Sequence, residues 1–111
     1  MVKSDDMVFK IKADFLRALS HPVRLQIIEY LKTGEVSVGR LVQELGVEQS
    51  SLSRHLGVLR ELGVLEARQE RTSVYYKLHD HDIFKVLRPI AELLRKKLKR
   101  SEKLLESLGK S

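Results

Sequence analysis

With 111 residues the chain has room for one domain and one modest core, and domains of this size often complete that core by pairing with a second copy. Lys and Arg number 21 against 15 Asp and Glu, a net charge of +6 that favours a polyanionic partner, while the absence of cysteine excludes disulfides, thiolate metal sites and thiol redox switches. The opening Met1-Val2-Lys3-Ser4-Asp5-Asp6 lacks the apolar core of a signal peptide and no segment approaches the roughly 18 apolar residues of a membrane span, so a soluble cytoplasmic protein with no membrane partner is expected.

Taken in chain order, Val8, Ile11, Phe15 and Leu19 follow helical spacing, and Ser20-His21-Pro22 ends that helix and starts another. Pro22 suits a first helical position, and a helix boundary accounts for His21. The second helix is expected to run to about Lys32, with Leu25, Ile28 and Leu31 as its buried stripe, Ile27 beside them, and Thr33-Gly34 as its end. Ser37 is placed to cap a third, short helix through Leu45, whose apolar positions are Val38, Leu41, Val42 and Leu45. Gly46 closes it and sets a tight turn. A further helix over about 48–62 follows, ending at Gly63, so two helices are separated by about three residues that include a glycine.

In that fourth helix Leu52, Leu56 and Leu59 fall on one stripe, while Ser50, Ser53, Arg54 and Gly57 cluster on the opposite side. A face meeting only water would normally carry long Lys and Glu side chains. This one is short, hydroxyl-bearing and armed with one arginine, as suits an element inserted in a DNA major groove. Ser50, Ser53 and Arg54 are therefore the candidate base and phosphate contacts, with Gln49 and Ser51 near the helix start as phosphate clamps. His55 borders the buried stripe, where a structural hydrogen bond and a phosphate contact are both open. Glu48 is a weak cap whose charge suits the helix dipole but repels phosphate.

After Gly63 the period becomes alternating: Leu65, Ala67 and Gln69 share one side of a strand, and Val74, Tyr76 and Leu78 one side of another. The polar tip Gln69-Glu70-Arg71-Thr72-Ser73 lies between them. A β-hairpin directly after such a helix is the wing of a winged helix, and Arg68 and Arg71 are its candidate phosphate or minor-groove contacts. From about Asp80 the spacing is helical again, with Ile83, Leu87, Ile90, Leu94 and Leu98, then Leu105 and Leu108. No intramolecular surface remains for so long a stripe, so these residues, with Phe15 of the first helix, are expected to form a dimer interface. Pro89 is expected to kink or split that helix. The run Arg95-Lys96-Lys97, Lys99-Arg100 and Lys103 reads first as a solvated face, with a supplementary contact to DNA or another anionic partner as the alternative. His79-Asp80-His81-Asp82 offers metal-ligand types, but four consecutive residues cannot all face one ion, and Asp80 can cap the helix instead.

The expected architecture is a single domain over 1–111, mainly α with a β-hairpin. Its parts are two helices at about 8–33, a helix-turn-helix at 36–63, a β-wing at 64–79 and a C-terminal dimerisation helix at 80–108. No nucleophile with a base and orienting group, no phosphate-binding glycine loop and no metal cluster is visible, so no enzymatic activity, cofactor or metal is expected.

Four blocks carry a wider pattern: Ala18-Leu19-Ser20-His21-Pro22-Val23-Arg24-Leu25, Val36-Ser37-Val38-Gly39-Arg40-Leu41, Gln49-Ser50-Ser51-Leu52-Ser53-Arg54-His55-Leu56 and Val74-Tyr75-Tyr76-Lys77-Leu78. In this order they resemble the ArsR/SmtB family of bacterial and archaeal transcriptional repressors, over about residues 8–95. The resemblance implies a dimeric winged helix-turn-helix in the order α-α-α-α-β-β-α, repression by occupying a palindromic operator in double-stranded DNA, and release when an effector binds. It also implies what is missing. The cysteines that flank the third-helix valine in the family's thiol-dependent metal sensors match Ser37 and Gly39. The zinc-type pairs match Asp80 with Asp82, and about Leu93 with Lys96. The alternative is a winged-helix protein-interaction module for an acidic partner.

Overall fold

The computed structural model describes residues 3–110, and the side chains of 6–109. The chain divides into two compact units with the boundary between His79 and Asp80. Helix α1 spans Lys3–Leu19, and its exposed side is tied by Asp14, which accepts from Lys10 and Arg17 at 2.9 Å each. The next helix, α2 (Pro22–Tyr30), starts where the residues say it should. His21 is extended, its Nδ1 accepts the Val23 N–H at 3.2 Å, and Pro22 takes a position that needs no donor. The α-helix stops two residues short of Lys32 and tightens into a 3-10 turn, Leu31–Thr33, before Gly34.

The buried face of α2 differs from the expected one. Ile27, Ile28 and Leu31 are buried, whereas Leu25 is 41% exposed. The stripe at three- and four-residue steps is Arg24-Ile27-Ile28-Leu31, with an arginine at the place expected of an aliphatic residue. Packing against the two α-helices that follow it in the chain turns the helix this way.

Ser37 Oγ accepts the Arg40 N–H at 3.2 Å and caps α3 (Val38–Leu45), which ends at Gly46 in the left-handed region at φ 63°. Val47 and Glu48 complete a three-residue connection to α4 (Gln49–Glu61), whose Leu52, Leu56 and Leu59 have no accessible surface. Then β2 (Leu65–Glu70) and β3 (Ser73–Leu78) pair antiparallel in the register Leu65↔Leu78 to Glu70↔Ser73. The turn is tighter than the five-residue tip expected, with Arg71 and Thr72 alone unpaired. A strand not foreseen, β1 (Val36–Ser37), adds to the other side of β3 and makes a three-stranded sheet in the order β1-β3-β2. Its two residues are too few to show alternation. α2 packs on both α3 and α4, α3 on β1 and β3, and α4 on β2, and the first unit's core is Leu19, Ile27, Ile28, Leu31, Leu41, Leu52, Leu56, Leu59, Val64, Leu65 and Leu78.

In the second unit α5 covers Phe84–Lys110. Residues 80–83 form a turn ahead of it, where Asp80 Oδ1 accepts the Asp82 N–H at 2.9 Å. The helix therefore begins later than Asp80. Ile83, expected in the exposed apolar stripe, precedes the helix and is buried. Pro89 does not split α5, which runs unbroken through it; the ring removes one donor near the helix start. Beyond Leu87 the stripe is open, with Ile90, Leu94 and Leu98 at 45, 52 and 67% exposure.

Candidate nucleic-acid interface

The face of α4 opposite its leucines carries Ser50, Ser53 and Arg54, all exposed, with Ser51 half-buried at its edge; Gln49, the first residue of the helix, is exposed beside them. For 50, 53 and 54 this follows from the helical period, since the leucines are consumed by α2 and the sheet; Gln49 falls near the leucine stripe and is exposed because it opens the helix. The Ser50 hydroxyl donates to Glu48 Oε1 at 2.8 Å, so Glu48 holds a side chain rather than capping the helix. Arg54 makes no ion pair with any described carboxylate and is free to reach outward.

Beside this face lies a groove of about 390 Å³ between the start of α3, α4 and the hairpin. Ser37, Gln49, Ser53, Thr72 and Ser73 line it with neutral hydrogen-bonding groups, over an apolar floor that includes Leu56, Val74 and Tyr76. Ser37, Thr72 and Ser73 were not among the expected DNA-binding residues. Their sequence signal is faint, because isolated hydroxyls join one groove only when β1 and β3 pair. A larger cleft of about 650 Å³ near the end of α2 carries Glu29 and Glu35, which disfavour phosphate.

His55, one of the expected DNA contacts, faces inward. It is 8% exposed, its Nδ1 accepts from Arg24 Nε at 3.1 Å, and its ring lies 4.2 Å from that of His21. Arg24 Nη1 also donates to the Ala18 carbonyl at 2.6 Å, so the arginine ties the end of α1 to α4. Of the two readings left open for His55, the structural one holds. Burial, then the charges of His21, Arg24 and Arg54, push its pKa below the ordinary value. The folded protein thus binds this proton less tightly than the unfolded chain, where the pKa is about 6.5. Stability from this group is present above that value and is lost as pH falls from it through the depressed one. Glu35 and Glu66, both with lowered values, act only in the more acidic carboxylate range. Thermal unfolding between pH 7.5 and 5 should show a falling Tm, and His55→Gln should flatten that limb; parallel curves for the two proteins would remove His55 from the cause.

Arg68 is also committed within the fold. It donates to Glu35 through Nη2 at 2.7 Å and Nε at 3.2 Å and to Glu70 through Nη1 at 2.8 Å, and its guanidinium lies 4.7 Å from the Tyr75 ring centroid. These bonds fasten the wing to the segment before β1 and leave Arg68 a framework residue rather than a free phosphate contact. Their long-range partner, Glu35, was not visible as such in the sequence. Arg71, by contrast, is exposed at the tip, at φ 56°. Two-residue hairpin turns require a positive φ at this first central position, and glycine meets it without strain. Arg71→Gly should stabilise the protein by about 1 kcal/mol, while its DNA binding loses roughly one unit of salt-dependence slope. Calorimetry and anisotropy across a salt series would check the pair, and a lowered Tm would contradict the strain.

The described residues contain no group of three or more His, Cys, Asp or Glu side chains able to hold a metal ion. No described helix is long and apolar enough to cross a membrane.

A helix pair joined by a three-residue turn and followed by a β-hairpin is a winged helix-turn-helix, a DNA-reading class. Residues 21–67 match the model of the bacterial regulatory protein arsR family. The transcriptional regulator Rv0081 of Mycobacterium tuberculosis is 37% identical over 102 residues, covering 91% of this chain and 90% of its own. Its crystal structure superposes with a TM-score of 0.77 over 85% of this chain and 95% of that one. NolR from Sinorhizobium fredii, 31% identical, gives 0.76 over 84% and 93%. The homodimeric winged helix-turn-helix DNA-binding domain Mb0332 from Mycobacterium bovis, 25% identical, gives 0.75 over 90% and 93%. The chain belongs to the arsR family and is a DNA-binding transcriptional regulator. No observation favours the interaction-module alternative.

Proposed function

We propose that two copies of this chain join through α1 and α5 and repress transcription by occupying a palindromic operator, with α4 of each copy in the major groove. The observation that carries this reading is the outward face of α4: Ser50 and Ser53, short enough for close approach, with Arg54, which makes no ion pair with a described carboxylate, and Gln49 at the helix start, beside a groove of neutral donors. Arg54 reads a base edge, Gln49, Ser51 and the groove hydroxyls hold phosphates, and Arg71 reaches the backbone or minor groove from the wing tip. Dimerisation is supported by the apolar side chains that α1 and α5 leave exposed, among them Phe9, Ile11, Leu16, Ile90, Leu94 and Leu98. Half-buried Phe15 and Leu87 border those surfaces. Such a stripe on a DNA-binding protein is best satisfied by a second copy, whose symmetry the operator would mirror.

Anisotropy with DNA from upstream of the protein's own gene, against scrambled competitor, tests the reading. Selective binding of one dimer per site is expected. Equal affinity for both sequences, across promoters drawn from the same genome, would count against it.

A further inference from the structure

The net charge of +6 is not where the reading helix lies. Residues 95–103 hold six cations, Arg95, Lys96, Lys97, Lys99, Arg100 and Lys103, against the single carboxylate Glu102, and the rest of the chain holds fifteen cations against fourteen carboxylates. Within the first unit several cations are moreover engaged with carboxylates. Lys10 and Arg17 pair with Asp14, Arg68 with Glu35 and Glu70, and Lys77 with Glu66. The six cations of 95–103 are exposed, and none is paired with a described carboxylate.

At 100° per residue, Arg95, Lys96, Lys99, Arg100 and Lys103 occupy an arc of about 140° on α5, and Ile90, Leu94, Leu98 and Leu105 lie on the opposite side; Leu93 borders the arc and Lys97 stands between the two. The helix is thus apolar along one side and cationic along the other. A covering protomer on the apolar side leaves the cationic side in water. Affinity for duplex DNA comes chiefly from cations that displace the counterions condensed on phosphates, and a reading unit close to neutral supplies few of them.

We infer that the cationic side of α5 is a second, sequence-independent DNA-binding surface that holds phosphates while α4 reads bases. The inference rests on the DNA-binding reading above and names where that reading draws its electrostatic affinity. DNA is favoured over an acidic peptide or a lipid surface because this chain already has DNA as its partner and the ridge is a bare row of point charges. The phosphates belong either to DNA flanking the operator or to a second duplex.

The test uses the full chain and a 60-base-pair duplex of scrambled sequence, with affinity measured by anisotropy across a salt series. For the variant K96Q/K99Q/K103Q the slope of log affinity against log salt should fall by about 2 to 3 per protomer, at roughly 0.9 for each phosphate no longer neutralised. Affinity at low salt should drop at least tenfold. The corresponding Lys→Arg triple variant should restore both. Lys99→Gln alone should lower the slope by about 0.9, which keeps the test decisive if the triple variant loses its helix by circular dichroism. A DNA of 20 base pairs that shows the same change favours phosphates beside the operator; a change seen only with added second duplex favours bridging. An unchanged slope in a folded variant overturns the proposal. So does loss of binding to phosphatidylserine vesicles with DNA binding intact. The two readings fail separately, because a missing operator preference in the wild-type protein counts against α4, and an unchanged slope counts against the ridge.

Discussion

Arg54→Ala should abolish most of the preference for operator over scrambled DNA while leaving the protein folded. Arg54 stands on the exposed side of α4, makes no ion pair with a described carboxylate and supports no core residue. A bidentate arginine-to-guanine contact supplies about 1–3 kcal/mol of discrimination, so selectivity should fall by roughly 5- to 150-fold per half-site. In a dimer the loss is felt twice. Competition anisotropy reads the ratio directly, with Tm as the control. A selectivity ratio equal to wild type would remove Arg54 from base reading, and a large fall in Tm would mean that its role is structural.

The opposite response is expected two residues on. Leu56→Ala should destabilise the protein by about 2–5 kcal/mol, because Leu56 has no accessible surface and its loss leaves a cavity among the side chains that join α4 to the sheet. Total stabilities of small domains are only about 5–15 kcal/mol, so this one substitution removes a large fraction. Chemical denaturation at matched protomer concentration would measure it, since a dimer's stability depends on concentration. A change below about 1 kcal/mol would imply that the core collapses around the smaller residue. Any DNA binding that the variant retains should keep its sequence preference, because Leu56 lies fully buried in the floor of the groove and its own side chain presents no surface to a base. Arg54 and Leu56 together separate reading from holding on a single helix.

Much of this is legible in the residues themselves. The order of elements, the Ser37 cap, the Gly46 turn and the leucine stripe of α4 all follow from local rules. A capping hydroxyl, a left-handed glycine and a 3.6-residue period act over a few residues and survive in almost any surroundings. The outward Ser50, Ser53 and Arg54 follow from the same period. So does the amphipathic character of α5, although its contrast with the first unit emerges only once several of that unit's cations are seen to be paired.

What was not legible involves partners distant in sequence. Arg24 reads as a surface cation, yet it takes a place on the buried face of α2, because the Ala18 carbonyl and His55 Nδ1 lie where its guanidinium ends. A long polar side chain can occupy a core stripe if its head group is satisfied, and hydrophobic periodicity alone cannot reveal that. Leu25 is displaced from the stripe as a consequence. Likewise Arg68 looks free at a wing until Glu35, thirty-three residues earlier, is brought beside it. The short strand β1 exists only through its pairing with β3.

The amino-acid sequence by itself determined the helix boundaries at Pro22, Ser37 and Gly46, the hairpin, the outward face of α4 and the family pattern, since each is written in residues close together. The tertiary structure decided which charged and imidazole side chains are spent on the fold, His55, Arg24 and Arg68, and which stay exposed with no ion pair to a described carboxylate, Arg54 and Arg71. That division is set by whether a hydrogen-bonding partner arrives from elsewhere in the chain, and desolvation makes an unmet polar group too costly to bury without one.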